Sequence, residues 1–319
     1  MAEWLVERGI GEERAILMDH GEAIAARLRW PGGLEAGLVE DATLTHRTAG
    51  SKRGAARFAC GEEALVDALP ASANEGAPIR LKIMREGIAE AGRFKAAQAR
   101  PTNEPPRPAP DLAEALGGRV VPSFAPGLWD ELLLDASLAR LDFEGGSLTI
   151  SPTPAMTVID IDGTLPPRAL ALAAVPALAR AIGRMDLAGS IAIDFPTLSE
   201  KADRRAVDAA VEAALDGWPH ERTAMNGFGL VQLVARLERP SLVARVTQDR
   251  AGAFARLLLR QAERIAEPGA LLLTASDEVR TRIQPAWLDE LRRRSGREIR
   301  WNPKSALAVE AIAVQAVPQ

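Results

Sequence analysis

Tyrosine is missing from this 319-residue chain, cysteine occurs once and histidine three times. The lack of tyrosine, set against abundant alanine and arginine, reads as a compositional habit and carries no function. A single cysteine excludes an internal disulfide and any Cys-x-x-Cys metal knuckle, which suits a reducing compartment, and Cys60 is expected to be a small buried hydrophobe. His20, His46 and His220 lie too far apart to read as a Ser/His/Asp or zinc-ligand pattern, so surface or packing roles are expected for them. The opening MAEWLVERGIGEERAIL has no basic stretch followed by an apolar core, and no run reaches the uncharged length of a membrane span. A cytoplasmic protein without a membrane span is expected. Neither charge dominates: 39 Lys and Arg against 43 Asp and Glu leave a net charge of −4. Nucleic-acid binding would therefore rest on a local patch. One exists between Arg47 and Arg100, where ten basic residues face six acidic ones.

This length exceeds a single core, and the punctuation of the sequence suggests several units. Residues 1–33 read as short strands around Trp4-Leu-Val, Arg14-Ala-Ile-Leu-Met and Ala23-Ile-Ala-Ala-Arg-Leu, expected to pack with residues 112–150. Over 34–100, short alternating runs with basic residues on one face suggest a barrel of the oligonucleotide-binding kind. PTNEPPRPAP holds too many prolines for helix or central strand, so 101–111 is read as a linker. Residues 112–243 hold helical patterns at DLAEAL and Leu128 to Arg140, and a hairpin around Gly145-Gly146. There follows strand Thr157-Val-Ile-Asp-Ile, a helix from about Pro167 to Met185 and strand Ser190-Ile-Ala-Ile-Asp-Phe. That is a βαβ unit whose apolar strands are expected to be buried on both faces. A helix from about Asp203 to Leu215 and a strand within Arg222 to Leu237 complete this unit. Residues 244–319 read as a small α/β domain: one helix from Ala244 to Ala266, a strand Leu271-Leu-Leu-Thr, a helix Pro285 to Arg294, and extended segments at Glu298-Ile-Arg-Trp and Leu307 to Ile312. The expected fold is multi-domain α/β (α+β), with an N-terminal β-rich barrel, a central βαβ catalytic domain and a C-terminal α/β domain.

Parallel strands joined through a helix end on the same edge of their sheet, so Asp160 and Asp194 can converge, with Asp162 two residues on. Two or three hard oxygen donors suit Mg²⁺, which keeps several waters and engages phosphate. An aspartate at a strand end can equally cap the next turn, and spacing alone leaves both readings open. Gly9-x-Gly11 and Gly32-Gly33 lack the strand-to-helix setting of a nucleotide-binding loop, so no nucleotide cofactor is expected.

The segment GGSLTISPTPAMTVIDIDG, residues 145–163, resembles the ribonuclease E/G family in its glycine pair, strand, threonine turn and aspartate-bearing strand. Leu187-Ala-Gly-Ser-Ile-Ala-Ile-Asp-Phe resembles that family's second catalytic strand, and Arg222-Thr-Ala-Met-Asn-Gly-Phe-Gly-Leu-Val its following loop and strand. The similarity runs over about 125–243, and more loosely over Leu271 to Trp301. It implies an endoribonuclease for single-stranded RNA whose Mg²⁺ is held by the catalytic pair Asp160 and Asp194 with Asp162 assisting. Water is then the nucleophile, leaving 5′-phosphate and 3′-hydroxyl ends. It further implies RNA contacts from Asn226, Phe228 and Arg236, and, from the barrel, Phe58 by stacking and Lys82 by attraction to phosphate. Self-association through the C-terminal domain is a further implication.

Departures from that pattern carry their own expectations. The proline-rich stretch stands where the family has its domain for sensing a 5′-monophosphate, so such sensing is expected to be absent. Without paired cysteines no zinc is expected. GTLPPRAL after Asp162 is shorter than the family's glycine-rich connection. Two rival readings remain. One is a catalytically silent RNA-binding adaptor derived from the family. The other is a phosphatase of the haloacid-dehalogenase type, since Val158-Ile-Asp-Ile-Asp-Gly-Thr-Leu also matches that nucleophile motif, with Leu271-Leu-Leu-Thr-Ala-Ser and Lys304 as its further members.

Overall fold

The computed structural model describes residues 1–90, 92–303 and 307–318. Strands β1 (Glu3–Gly9), β2 (Glu12–Asp19) and β3 (Glu22–Arg29) form an antiparallel meander. Next come β4 (Val39–Arg47), β5 (Gly54–Arg57), β6 (Glu63–Val66) and β7 (Pro78–Arg85), then a hairpin of β8 (Ile88–Glu90) and β9 (Arg93–Lys95), then β10 (Ala97–Pro101). Five of these strands close a barrel in the order β10-β6-β5-β4-β7, with β10 parallel to β6. Alternation along the strands sends Leu44, Val66, Leu81 and Ile83 inward, where they meet Phe58. The barrel meets the rest of the chain through Arg93, which donates to the Pro154 carbonyl, and through Glu86, which pairs with Arg245.

The proline-rich stretch differs from a free linker. Pro101 still belongs to β10, Arg107 and Val39 exchange backbone hydrogen bonds of 2.9 and 3.0 Å, and Glu104 receives the Lys82 ammonium at 2.6 Å. Prolines exclude a helix there, but an extended segment can still lie along a barrel and bond through its remaining amides. Cys60 also departs from expectation. It is exposed in the turn between β5 and β6, because that turn carries the chain over the barrel rim rather than through its core.

After α1 (Leu112–Leu116) and β11 (Arg119–Val120), which adds to β1 in parallel, comes α2 (Leu128–Leu138). It leads into β12 (Arg140–Phe143), β13 (Gly146–Pro152), β14 (Thr157–Gly163), α3 (Pro167–Arg184), β15 (Gly189–Asp194), α4 (Lys201–Ala214), β16 (His220–Arg222) and β17 (Leu230–Ala235). The strands form a six-stranded sheet in the order β12-β13-β14-β15-β17-β16, in which β14 and β15 are the parallel pair. Burial on both faces holds only in places, at Ala192 of β15 and Ser147 of β13, and not along the sheet as a whole. Leu148, Ile150, Ile159, Ile161, Ile191 and Ile193 are buried on the face that α3 covers, whereas Thr149, Ser151, Asp160, Asp162 and Val234 are exposed on the other. The sequence run looked continuously apolar because its polar members, alternating with isoleucine, are few. Among the described residues no helix crosses the second face to bury them.

The chain ends with α5 (Leu242–Gln248), α6 (Arg250–Arg264), β18 (Ala270–Ala275), α7 (Asp277–Arg282), α8 (Pro285–Ser295), β19 (Ile299–Pro303) and β20 (Ala313–Val317). The single helix expected from Ala244 to Ala266 is split at Asp249, whose carboxylate leaves helical geometry to accept from the Gly252 N–H at 3.1 Å and start α6. The last strand falls at Ala313–Val317 rather than at Leu307 to Ile312, and pairs antiparallel with β18. Core packing runs without a break from Leu148 and Ile159 through Val243 and Leu258 to Leu273, so the C-terminal elements share the core beneath the sheet. Among the described residues no helix is long and apolar enough to cross a membrane.

Candidate active site

Register places the two aspartates side by side. In the parallel pairing of β14 with β15, Asp160 is partnered directly with Asp194, and paired residues point to the same face of a sheet. Asp160 also stands opposite Thr149 of β13, Asp162 opposite Ser147, and Asp194 opposite Leu230 of β17. A row perpendicular to the strands therefore reads Arg140, Thr149, Asp160, Asp194, Leu230, all on the open face.

The glycine pair before β13 makes this edge compact. A Cβ on Gly163 would stand 2.3 Å from the Gly145 carbonyl oxygen, and one on Gly146 would stand 2.6 Å from that of Asp162. Only hydrogen fits, so the β12–β13 turn closes on the end of β14 just where Asp162 leaves it.

Three carboxylates on an open face repel one another. Partial burial and then the negative charges of Asp162 and Asp194 push the Asp160 carboxyl above its ordinary value, against the pull of the Ile161 N–H. Among the described residues no Lys, Arg or His forms an ion pair with any of the three, whereas Asp142, Asp203 and Asp208 are each paired with an arginine. Nor do the described residues contain a group of three or more His, Cys, Asp or Glu side chains close enough to share one metal ion. The sheet supplies an adjacent pair, Asp160 and Asp194, with Asp162 beside it, rather than a finished three-ligand cage.

The loop before β17 supports this edge. The Asn226 side-chain oxygen accepts from the N–H groups of Phe228 at 2.9 Å and Leu230 at 3.1 Å, so it is spent on folding the turn. Gly229, at φ +92°, lies so close to Phe195 that a Cβ would come within 2.2 Å of the Phe195 carbonyl oxygen. Its own carbonyl accepts from the Phe195 N–H at 3.2 Å, tying the loop to the residue after Asp194. Phe228 is left 83% exposed at the same edge as the aspartates.

Other expected RNA contacts lie elsewhere. Arg236 follows β17 at the Gly189 end of β15, six residues beyond Leu230, which is about 20 Å along a strand. It pairs with Glu238 at 3.1 Å and cannot border the aspartates. Phe58 is 3% exposed and belongs to the barrel core, so its ring presents no face for stacking. The charge of Lys82 is taken up by Glu104. The histidines stay apart: His20 lies near Asp19, His46 near Glu75, and His220 stacks on Trp218 with ring centres 4.9 Å apart.

The phosphatase arrangement is not assembled. Its proposed threonine strand, β18, belongs to a separate three-stranded sheet, while the neighbours of β14 are β13 and β15. Ser276 is buried and caps α7, and Lys304 lies outside the described residues.

The sequence pattern of the ribonuclease E/G family matches residues 137–236, the stretch that builds the six-stranded sheet and its aspartate row. This stretch is similar to the ribonuclease E/G family. The match leaves out the barrel and the C-terminal elements. A search of curated proteins gives no match. That similarity points, at the coarse level, to a ribonuclease, with RNA as the polymer acted on. Arg140 and Thr149 escaped the sequence reading, because their place beside Asp160 follows only once the register of the β12–β13 hairpin is known.

Proposed function

We propose that this protein is an endoribonuclease of the ribonuclease E/G type that cuts single-stranded RNA at the Asp160–Asp194 pair with the help of Mg²⁺. The observation that carries the reading is the direct partnering of Asp160 with Asp194 on an uncovered sheet face, within the segment that matches the family. The donor set fits such an ion: hard carboxylate oxygens, free of arginine or lysine partners among the described residues, on a face with room for water. Asp160 and Asp194 would hold it, with Asp162 to one side, and no zinc is expected from a chain with one cysteine. When bound, Mg²⁺ lowers the pKa of an attacking water and offsets charge on the scissile phosphate. The protein's own contribution is to hold that phosphate over the row, to offer Phe228 to a flanking base, and to keep Asp160 and Asp194 fixed by register. The expected products carry 5′-phosphate and 3′-hydroxyl ends. Self-association, if it follows the family, would use the three-stranded β19-β18-β20 sheet, whose outer strands have no further partner strand among the described residues.

The test is cleavage of a fluorescent single-stranded RNA in Mg²⁺ and in EDTA, by the wild type, Asp160→Asn and Asp194→Asn. Cleavage that requires Mg²⁺ and vanishes in both folded variants supports the reading. Retained RNA binding without cleavage by the wild type replaces it with a silent adaptor.

A further inference from the structure

The open face of the six-stranded sheet holds one cation that the aspartates do not use. Of all residues in its six strands, only Arg140 and Arg222 are arginine or lysine. Arg222 lies on the covered side, bound by Asp208 at 3.3 Å and Glu212 at 3.1 Å of α4. Arg140 stands in the aspartate row, with Thr149 between it and Asp160.

Arg140 is poised rather than committed. Its partner is Asp142 on its own strand, at 2.9 Å, and the two side chains are 55% and 74% exposed. Such surface pairs contribute little and exchange readily for a better anion. Two strand spacings, about 10 Å, separate Arg140 from Asp160, and an extended arginine spans more than one of them. Its guanidinium can thus reach a phosphate next to one held at Asp160, with both forked N–H groups available. Thr149, exposed between them, adds a hydroxyl donor on the same line. At the other end of the row stand Leu230, 40% exposed, and Phe228. The row therefore carries a phosphate-binding end, a reacting centre and a stacking end.

We propose that Arg140 and Thr149 bind the RNA phosphate adjoining the scissile one, so that the RNA chain crosses the strands along this row instead of running parallel to them. The proposal rests on the ribonuclease reading above and specifies how that site takes its substrate.

The experiment measures kcat and KM on fluorescent single-stranded RNA over a range of salt for the wild type, Arg140→Ala, Arg140→Lys and Thr149→Val. Arg293→Ala on α8, 72% exposed, serves as a charge control. RNA binding is measured in parallel in the non-cleaving Asp160→Asn background. Arg140→Ala is expected to raise KM about tenfold with a smaller change in kcat, as loss of one charge-assisted bond predicts. Its salt slope should fall by about 0.7, the amount for one phosphate contact on a single strand. Arg140→Lys should recover part of the loss, Thr149→Val should cost a few-fold, and Arg293→Ala should match the wild type. A wild type that cleaves RNA while Arg140→Ala shows the same KM, binding and salt slope overturns this inference and leaves the ribonuclease reading standing. A wild type that neither binds nor cleaves RNA removes both.

Discussion

Glu7 and Asp160 are both carboxylates on sheet strands, and the protein treats them in opposite ways. Glu7 is fully buried and surrounded by Arg260 and Arg264, each at 2.6 Å, and by Arg14 at 3.1 Å. Arg14 in turn reaches Glu12 at 3.3 Å and lies 5.3 Å from the centre of the Trp129 ring, while Arg256 is held between the rings of Trp30 and Trp287. Burial alone would push the Glu7 carboxyl up, but its arginines pull it below the ordinary value. Asp160 sits on an open face, has only like charges beside it, and is pushed up. Charge compensated within the chain pins β1 and β2 to α6. Charge left uncompensated on an accessible sheet is where the proposed cation and polyanion would meet.

Removing one compensating charge from the buried cluster should have the greatest effect. Arg14→Met would leave Glu12 buried with Arg256 as its remaining cation, and Glu7 short of one partner. Stranding a buried charge typically costs about 3–5 kcal/mol, so a large drop in the urea midpoint is expected with no direct change at the aspartate row. A loss well under 1 kcal/mol would mean that the buried cluster is no more than an accommodated surplus.

A second test contrasts binding with stability. Phe228→Ala should leave the unfolding midpoint within about 0.5 kcal/mol of the wild type, because the ring is 83% exposed. In a filter-binding assay it should weaken single-stranded RNA by about 1–3 kcal/mol, the range for one stacked base. Equal losses in stability and affinity would make Phe228 a packing residue after all.

The buried cluster also predicts two opposite pH dependences. Glu7 has a lowered folded pKa, so its stabilising contribution is present above the ordinary glutamate value of 4.5 and is lost as the pH falls through the lowered value. Glu12 is raised, because burial outweighs Arg14 and Arg256, so its contribution is present at low pH and is lost as the pH rises through the raised value. Glu7→Gln should thus cost most at neutral pH and least in acid, and Glu12→Gln the reverse. Thermal unfolding of both variants from neutral to acid pH checks the signs, and parallel curves would show that the two glutamates are not electrostatically distinct.

How far the sequence could see follows the same division. The meeting of Asp160 and Asp194 was legible because both lie toward the carboxyl ends of apolar strands joined by one helix, Asp194 at the end of β15 and Asp160 three residues before the end of β14. The five-stranded barrel was legible from closely spaced alternating runs. Burial of individual rings was not. Phe58 and Phe228 were both expected at RNA, yet only Phe228 is exposed: Phe58 follows a strand that turns into a closed barrel, whereas Phe228 is held outward by the Asn226 turn, which Gly229 ties to Phe195. The open sheet face was missed for a similar reason: a strand records its own alternation but not whether a helix arrives to cover it. Asp249 was read as helix interior, although its capping of Gly252 breaks that helix.

The smallest expected effect on stability is the most discriminating. Asp160→Asn removes a negative charge from beside Asp162 and Asp194 and breaks no ion pair seen among the described residues. Without divalent cations it should unfold within about 0.5 kcal/mol of the wild type, or slightly later, because relief of like-charge repulsion offsets any lost hydrogen bonding. Added Mg²⁺ should raise the unfolding temperature of the wild type by mass action, since a ligand bound only by the folded state stabilises it, and should raise that of Asp160→Asn much less. A variant that unfolds far earlier than the wild type, with or without Mg²⁺, would place Asp160 with Glu7 among the carboxylates that hold the fold. An unchanged midpoint together with a lost Mg²⁺ response would keep it among those that the fold leaves free for chemistry.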